Sequence, residues 1–135
     1  MNAEVIVRWH NNDQTILYAT VPTEWTWEDA YVMIERIYQL QETVNHPTDI
    51  IFDLRHINPL PKSAIPNLRR MLNSEHPNDR LNIIVTRDTF LRQMLELVVR
   101  TFSHDRKNPA QSHFTTSLEK ALEAISQYES QEARL

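Results

Sequence analysis

The chain has 135 residues, of which 41% are hydrophobic and 24% are charged, and its formal net charge is −4. This length suits one domain with one core, and the acidic balance argues against binding to nucleic acid or to an anionic membrane, which both require a basic surface. The chain contains neither cysteine nor glycine. Disulfides, thiolate zinc sites, cysteine nucleophiles and glycine-rich phosphate loops are therefore excluded.

The amino-terminal residues lack the basic and apolar stretches of a signal peptide, and no apolar run approaches the roughly 20 residues of a membrane span. We therefore expect a cytoplasmic protein. Because glycine is absent, we expect asparagine or aspartate at the turn positions that need a left-handed backbone.

The chain begins with two alternating apolar and polar runs, at 4–10 and 15–21, separated by a cluster of turn residues. This pattern predicts an antiparallel β-hairpin. Thr26 and Asp29 then resemble a capping box, and the apolar residues after them recur at helical spacing. We therefore expect an amphipathic helix that ends before Pro47.

The run at 49–54 passes from apolar residues directly into Asp53 and is bounded by proline-containing turns. It predicts a strand buried on both faces, of the kind that lies centrally in a parallel sheet. Ser63 is positioned as the N-cap of a second helix, which ends near His76. A further short buried strand is expected at 81–86.

The remaining predicted elements are a helix at 90–102, a loop at 105–109, a short strand at 112–115, and a last helix opened by a capping box of Thr116 and Glu119. This order predicts an α/β fold with an N-terminal β-hairpin and four βα turns, forming a mainly parallel five-stranded sheet with four helices. We expect one domain at 1–128 and a polar tail at 129–135.

One stretch carries a family resemblance. Asp53-Leu54 ends the predicted central strand, Ile57 follows in the loop, and Pro61-Lys62-Ser63-Ala64-Ile65 opens the next helix. This spacing resembles the STAS-like, anti-sigma-factor-antagonist (sporulation-type) family, in which Asp/Asn-Leu is followed by an apolar residue and then by Asp-Ser-Ser-Gly-Leu. The segment 114–122 is also similar to the last strand and helix entry of that family. The resemblance implies the STAS-like fold and a non-enzymatic role in bacterial signalling.

The resemblance places Lys62 where the family has its phosphorylatable serine, and Pro61 where it has the preceding aspartate. A lysine cannot accept a phosphoryl group from a serine kinase, so we expect this chain to lack the serine phospho-switch. Ser63 has two interpretations, a replacement phosphorylation site or the N-cap of the helix.

In a parallel sheet, the loops after the strands meet at one edge, where helix N-termini also present free N–H groups. The candidate binding residues at this edge are Arg55, His56, Ile57, Lys62, Ser63, Arg87 and Thr116. They predict a recess for a phosphate, a carboxylate or an acidic partner loop. The competing interpretation is that they are ordinary caps and loop charges.

The six histidines have no metal-ligand spacing, so neither a metal site nor a catalytic group is nominated. Asp53 and His56 are close in sequence, but their spacing does not fix a geometry. Trp25 and Trp27 flank the start of the first helix. They indicate either a partner interface or packing at the edge of the core.

The first functional hypothesis is a STAS-like protein–protein interaction module, whose partner is a regulatory kinase, a sigma-factor regulator or a second copy in a homodimer. The second is a domain that binds a small anionic or lipid-like ligand at the same edge. An enzyme has the least support, and no cofactor is expected.

Overall fold

The structure is a computed structural model, and it describes residues 4–74, 76–102 and 111–133. The elements in chain order are β1 (Ile6–Trp9), β2 (Ile16–Thr20), α1 (Trp27–Gln41), β3 (Thr48–Asp53), α2 (Ala64–Leu72), β4 (Asp79–Val85), α3 (Thr89–Phe102), β5 (Gln111–Thr115) and α4 (Leu118–Ala133). The predicted α/β fold, with its hairpin and four βα turns, is confirmed. The predicted loop at 105–109 lies outside the described residues.

The five strands form one sheet in the order β1-β2-β3-β4-β5. β1 pairs with β2 in antiparallel register, and every later pair is parallel. β3 is therefore the central strand, as its apolar sequence predicts, and Ile51 at its centre lies beside Tyr18 on one side and Ile83 on the other. The parallel pairing places the ends of β3, β4 and β5 at one edge of the sheet.

The two faces of the sheet carry separate parts of the core, because side chains alternate along each strand. On one face, Leu17 and Ile50 pack with Met33 and Ile37 of α1, and α2 and α3 complete this side. On the other face, the core residues are Ile51, Leu81, Ile83 and Val85, together with Ala121 and Ile125 of α4. Three helices therefore share one face, and α4 covers the other. Across the described ranges, every helix is too short or too polar to cross a membrane.

Among the residues that the structure describes, two turn positions adopt the left-handed backbone that usually favours glycine. They are Gln14, with φ of 57°, and Ser63, with φ of 66°. The expectation that asparagine or aspartate would occupy such positions is wrong for both. In the hairpin turn, Asn11 instead uses its side chain: its Oδ1 accepts hydrogen bonds of 3.1 Å from the backbone N–H groups of Thr15 and Ile16.

The capping residues of α1 are those predicted from the sequence, whereas those of α4 are not. The Thr26 hydroxyl accepts from the Asp29 N–H, and the Asp29 carboxylate accepts from the Thr26 N–H at 2.9 Å, which confirms the capping box. At α4, the side chain that caps is Ser117, whose Oγ accepts from the Lys120 N–H at 3.1 Å. The predicted capping box at Thr116 is therefore wrong by one residue. α4 also extends through Ala133, into the segment predicted as a tail.

The end of α4 contacts a buried ion pair that joins β3 and β4. Asp49 of β3 is fully buried, and both of its carboxylate oxygens accept from the guanidinium of Arg80, with Nε to Oδ1 at 2.8 Å. Arg80 also pairs with Glu129 at 3.2 Å and with Glu132 at 3.1 Å, and its guanidinium lies over the ring of Tyr128. The last turns of α4 are thereby tied to the central strand.

We predict that Arg80→Met lowers the free energy of unfolding by about 3–5 kcal/mol, because it leaves the Asp49 carboxylate buried without a countercharge. Arg92→Met is the matched control, since the ion pair that Arg92 makes with the described residues is with Glu96 on the exposed side of α3; it should cost no more than about 0.5 kcal/mol. Urea unfolding followed by circular dichroism measures both. Equal effects of the two substitutions would contradict the proposed importance of the buried pair.

Candidate functional site

The candidate residues predicted at the loop edge lie along that edge, but they do not converge on one recess. Arg87 and Thr116 meet, through a bond of 3.4 Å from Arg87 Nε to the Thr116 carbonyl. Arg55 instead turns toward Asp53 at the end of β3, and His56 turns toward Thr20 at the end of β2. The edge therefore consists of separate local contacts.

Asp53 is the best-connected residue at this edge. Its carboxylate accepts two hydrogen bonds from the guanidinium of Arg55, at 2.9 and 2.8 Å, and one from the Tyr18 hydroxyl at 2.6 Å. The Asp53 carbonyl accepts from the Thr20 hydroxyl at 2.6 Å, and the guanidinium of Arg8 lies 4.7 Å from the centre of the Tyr18 ring. These contacts fix the end of the central strand to β1 and β2.

The same contacts determine the protonation of Asp53. Burial acts to raise the pKa of Asp53, but the hydrogen bonds from Arg55 and Tyr18 outweigh burial and lower the pKa to about 2. Burial, followed by the hydrogen bond to Asp53, raises the pKa of Tyr18 to about 12. At neutral pH the pair is a fully occupied carboxylate and a neutral phenol. Neither group is free to transfer a proton.

The Nε2 atom of His56 is not arranged to take a proton from Thr20. Its Nε2 lies 3.3 Å from Thr20 Oγ1 and 3.1 Å from the Val21 carbonyl. Thr20 already donates its one hydroxyl hydrogen to the Asp53 carbonyl, so both neighbours of Nε2 accept. The hydrogen therefore resides on Nε2 of His56. A histidine that activates a nucleophile needs the opposite arrangement, in which its ring nitrogen accepts.

Ser63 occupies the N-cap position of α2, but its side chain caps no N–H group. The reason is its left-handed backbone, since an N-cap side chain reaches the first-turn amides from an extended backbone. Ser63 is therefore the N-cap residue, as predicted, but its side chain makes no capping hydrogen bond. Instead, the Ser63 carbonyl accepts from Asn67 Nδ2 at 2.9 Å, and Asn67 Oδ1 accepts from the Tyr31 hydroxyl at 2.6 Å.

Trp25 and Trp27 hold the loop at 54–63 in place. Their rings meet edge to face, with 4.9 Å between centroids. Trp25 Nε1 donates to the Asn58 carbonyl at 3.2 Å, and Trp27 Nε1 donates to the Lys62 carbonyl at 2.7 Å. The two indoles therefore fix the β3–α2 connection to the start of α1. This arrangement agrees with packing at the edge of the core, one of the two interpretations of the tryptophan pair.

Behind this loop, a cavity of about 170 Å³ lies between the sheet and the helices α1, α2 and α3. Its floor is formed by Ile50, Phe52, Asn82 and Ile84 of the two central strands, and its lining is mostly aliphatic and aromatic. Phe52 and Ile84 are only partly buried although they lie on central strands. The three helices therefore cover this face of the sheet incompletely.

Helix α2 is the weakest part of that cover. None of its residues is buried, and its closest backbone neighbours are α3 and α1. Leu68 and Leu72 of α2 border the cavity. Ile57, which the sequence placed in the candidate site at the loop edge, also borders it and packs against the core. Ile57 is thus the one predicted site residue that reaches the cavity.

The cavity is partly open to solvent, and its lining is mostly apolar with a few polar side chains. A concave, mostly apolar pocket with a small number of polar groups is the usual character of a small-molecule site. The cavity is therefore the strongest indication of a functional site in the described part of the chain.

The cavity was not predicted from the sequence, although the sequence contains one signal for it. Asn82 interrupts the apolar run of β4, at a position where a buried strand normally carries an apolar side chain. Its side chain lies on the floor of the cavity. A polar residue at such a position is a sign of an internal polar contact or of a binding site.

Within residues 4–74, 76–102 and 111–133, no three histidine, aspartate or glutamate side chains are grouped so that they could hold a metal ion. Comparisons with protein-family models, with curated proteins and with solved structures find no match for this chain.

We predict that Tyr18→Phe lowers the free energy of unfolding by about 1.5–3 kcal/mol at pH 7, because it removes a hydrogen bond to a charged group. It should also raise the pKa of Asp53, which an NMR titration of the Asp53 carboxyl measures. Tyr31→Phe is the control: it removes a hydroxyl bonded to the neutral Asn67 and should leave the Asp53 titration unchanged.

The direction in which stability changes with pH follows from the pKa shifts of Asp53 and Tyr18. Asp53 has a folded pKa of about 2, below its ordinary 3.8, so its contribution to stability is present above pH 4 and is lost as the pH falls toward 2. Tyr18 has a folded pKa of about 12, above its ordinary 10.0, so its contribution is present below pH 10 and is lost as the pH rises toward 12. Tyr18→Phe should reduce the alkaline loss, and the smaller contribution of Tyr128, whose pKa is also raised, should persist. An unchanged alkaline profile would contradict the assignment.

Proposed function

We propose that this chain is a non-catalytic binding domain for a small, largely apolar molecule, which occupies the cavity between the sheet and helices α1, α2 and α3. The observation that carries the proposal is the cavity itself, at about 170 Å³ and with a mostly apolar lining. A small aromatic molecule such as benzene fits an apolar cavity of about this volume. A ligand there would add packing contacts to the helices and strands that line the cavity.

The polar groups at the loop edge support a binding role over catalysis. The Asp53 carboxylate is fully occupied by Arg55 and Tyr18, and the His56 nitrogen that faces Thr20 donates. The sequence predicted a small anionic or lipid-like ligand at the loop edge, whereas the ligand that we propose lies on the inner side of one face of the sheet. The indoles of Trp25 and Trp27 border this interior and provide a rigid aromatic wall.

The proposal predicts that benzene binds saturably and stabilises the protein. At ten times its Kd, benzene should raise the Tm by about 4 °C, because a ligand bound only by the native state shifts the unfolding equilibrium. Leu68→Trp should abolish this shift, since Leu68 borders the cavity and a larger side chain fills it. Ile65→Trp is the matched control on the same helix, since Ile65 is 46% exposed and lies outside the cavity.

Scanning calorimetry measures the shift, and methyl NMR of the isoleucine and leucine residues locates the bound benzene. A wild-type protein with no saturable response would contradict the proposal. So would equal responses of the Leu68→Trp and Ile65→Trp variants.

A second candidate function is the STAS-like interaction module that the sequence resemblance implies, with α2 and α3 as the binding surface. The observation that favours it is a group of exposed large apolar residues: Phe90 is 71% exposed and Leu97 is 56% exposed on α3, and Ile65 lies on the neighbouring α2. Phe90 and Leu97 are seven residues apart, so they point to the same side of the helix. Exposed apolar patches are typical of protein interfaces.

Phe90→Ser combined with Leu97→Ser should weaken this association at least tenfold, because the two side chains supply most of the exposed apolar area on α3. Sedimentation measures self-association, and a pull-down with purified regulatory kinases or sigma-factor regulators measures the other partners. Gln93→Ser, an exposed polar position on α3, is the control. A protein that stays monomeric and binds none of these partners would contradict this function.

A further inference from the structure

Asn82 carries an unpaired polar atom on the face of the sheet that borders the cavity. Its Oδ1 is buried and has no hydrogen-bond partner. In the described part of the chain, Gln41 has the other such oxygen, but Gln41 does not border the cavity and its Nε2 donates to Thr48 and Asp79. Buried polar atoms without partners are rare, because losing water without a replacement bond is unfavourable.

The neighbours of Asn82 in the sheet do not supply the missing hydrogen bond to its Oδ1. The parallel register places Ile50 beside it on β3 and Ser112 beside it on β5. Side chains at paired positions share a face of the sheet, and both neighbours border the cavity. Ile50 has no hydrogen-bonding group. Asn82 and Ser112 thus form a short polar strip on an otherwise apolar floor.

The charged groups that border the cavity also restrict the charge that a ligand can carry. No lysine, arginine or histidine of the described residues borders the cavity. The one carboxylate of the described residues that borders it is Asp79, and both of its oxygens are occupied, by Gln41 Nε2 at 2.7 Å and by the His76 N–H at 3.1 Å. A carboxylate or phosphate bound there would have no countercharge, and burying an unpaired charge is strongly unfavourable.

We propose, on the basis of the ligand-binding function above, that the ligand is a neutral amphiphile, with an apolar body and one hydroxyl or amide group that pairs with the side-chain amide of Asn82. An amide both donates and accepts, and rotation about Cβ–Cγ turns either end toward the cavity. A hydroxyl also donates and accepts, so it satisfies either orientation. The apolar body fills the space between the central strands and α2.

Toluene, phenol and benzoate test the proposal, because the three probes share one ring and differ in the polar group. The Trp9→Phe protein provides the signal, since the remaining indoles, Trp25 and Trp27, border the cavity. In this protein, Asn82→Leu should raise the Kd of phenol about tenfold and leave that of toluene unchanged or lower. Benzoate should bind at least a hundredfold more weakly than phenol.

Asn45→Leu is the matched control, since Asn45 is exposed and lies outside the cavity; it should leave all three constants unchanged. Asn82→Val is the second variant if Asn82→Leu does not fold, because a β-branched side chain suits a strand and also lacks the amide.

The outcomes separate the two proposals. If neither toluene nor phenol binds the wild-type cavity, the ligand-binding function itself is overturned. If toluene binds but the Asn82 variants leave the ratio of phenol to toluene affinity unchanged, the inference about the polar group alone is overturned. Benzoate that binds as tightly as phenol would overturn the requirement for a neutral ligand.

Discussion

The two buried carboxylates of the central strand are the constraint on which the rest of the structure depends. Asp49 and Asp53 both lie on the face of β3 that α4 covers, with Ile51 between them, because side chains two residues apart share a face. Each carboxylate loses its water on folding and so requires a guanidinium. Arg80 supplies it at one end of the strand and Arg55 at the other. Charge pairing therefore fixes both ends of β3, and Arg80 also recruits the end of α4.

The opposite face of the sheet is held in a different way. There, no ion pair joins the described helices to the central strands. Most contacts are apolar, and the polar ones include the bonds from Gln41 of α1 to Thr48 and Asp79 and the indole bonds from Trp25 and Trp27 to the β3–α2 loop. Apolar packing has no direction, so it tolerates an incompletely filled region more readily than a buried charge tolerates a missing partner. The cavity is located on this face, between β3, β4 and α2. Ion pairs thus stabilise one face of the sheet, while the other face borders the cavity.

The two candidate functions use different sides of the same three helices. The cavity faces the inner sides of α1, α2 and α3, whereas Phe90 and Leu97 face outward from α3. Because α2 has no buried residue, a molecule that filled the cavity would add contacts to its inner side and stabilise it against the sheet. Ligand binding and partner binding are therefore compatible in one domain. The resemblance to STAS-like modules remains a hypothesis that rests on the stretch from Asp53 to Ile65.

The sequence by itself determined the elements, their order and the fold, because local patterns encode them: alternation in the hairpin, helical spacing, the Thr26–Asp29 capping box and the apolar run into Asp53. It also placed the loop edge correctly, since parallel strands must end together.

Only the tertiary structure determined what those residues contact. Arg80 pairs with residues 31, 49 and 52 positions away, and Trp27 bonds to a carbonyl 35 positions away; no local pattern encodes such distances. The cavity depends on the separation of α2 from the sheet, which the packing of three helices sets together. For that reason Asn82, a single polar residue in an apolar strand, became a candidate ligand contact only after folding placed it on the cavity floor.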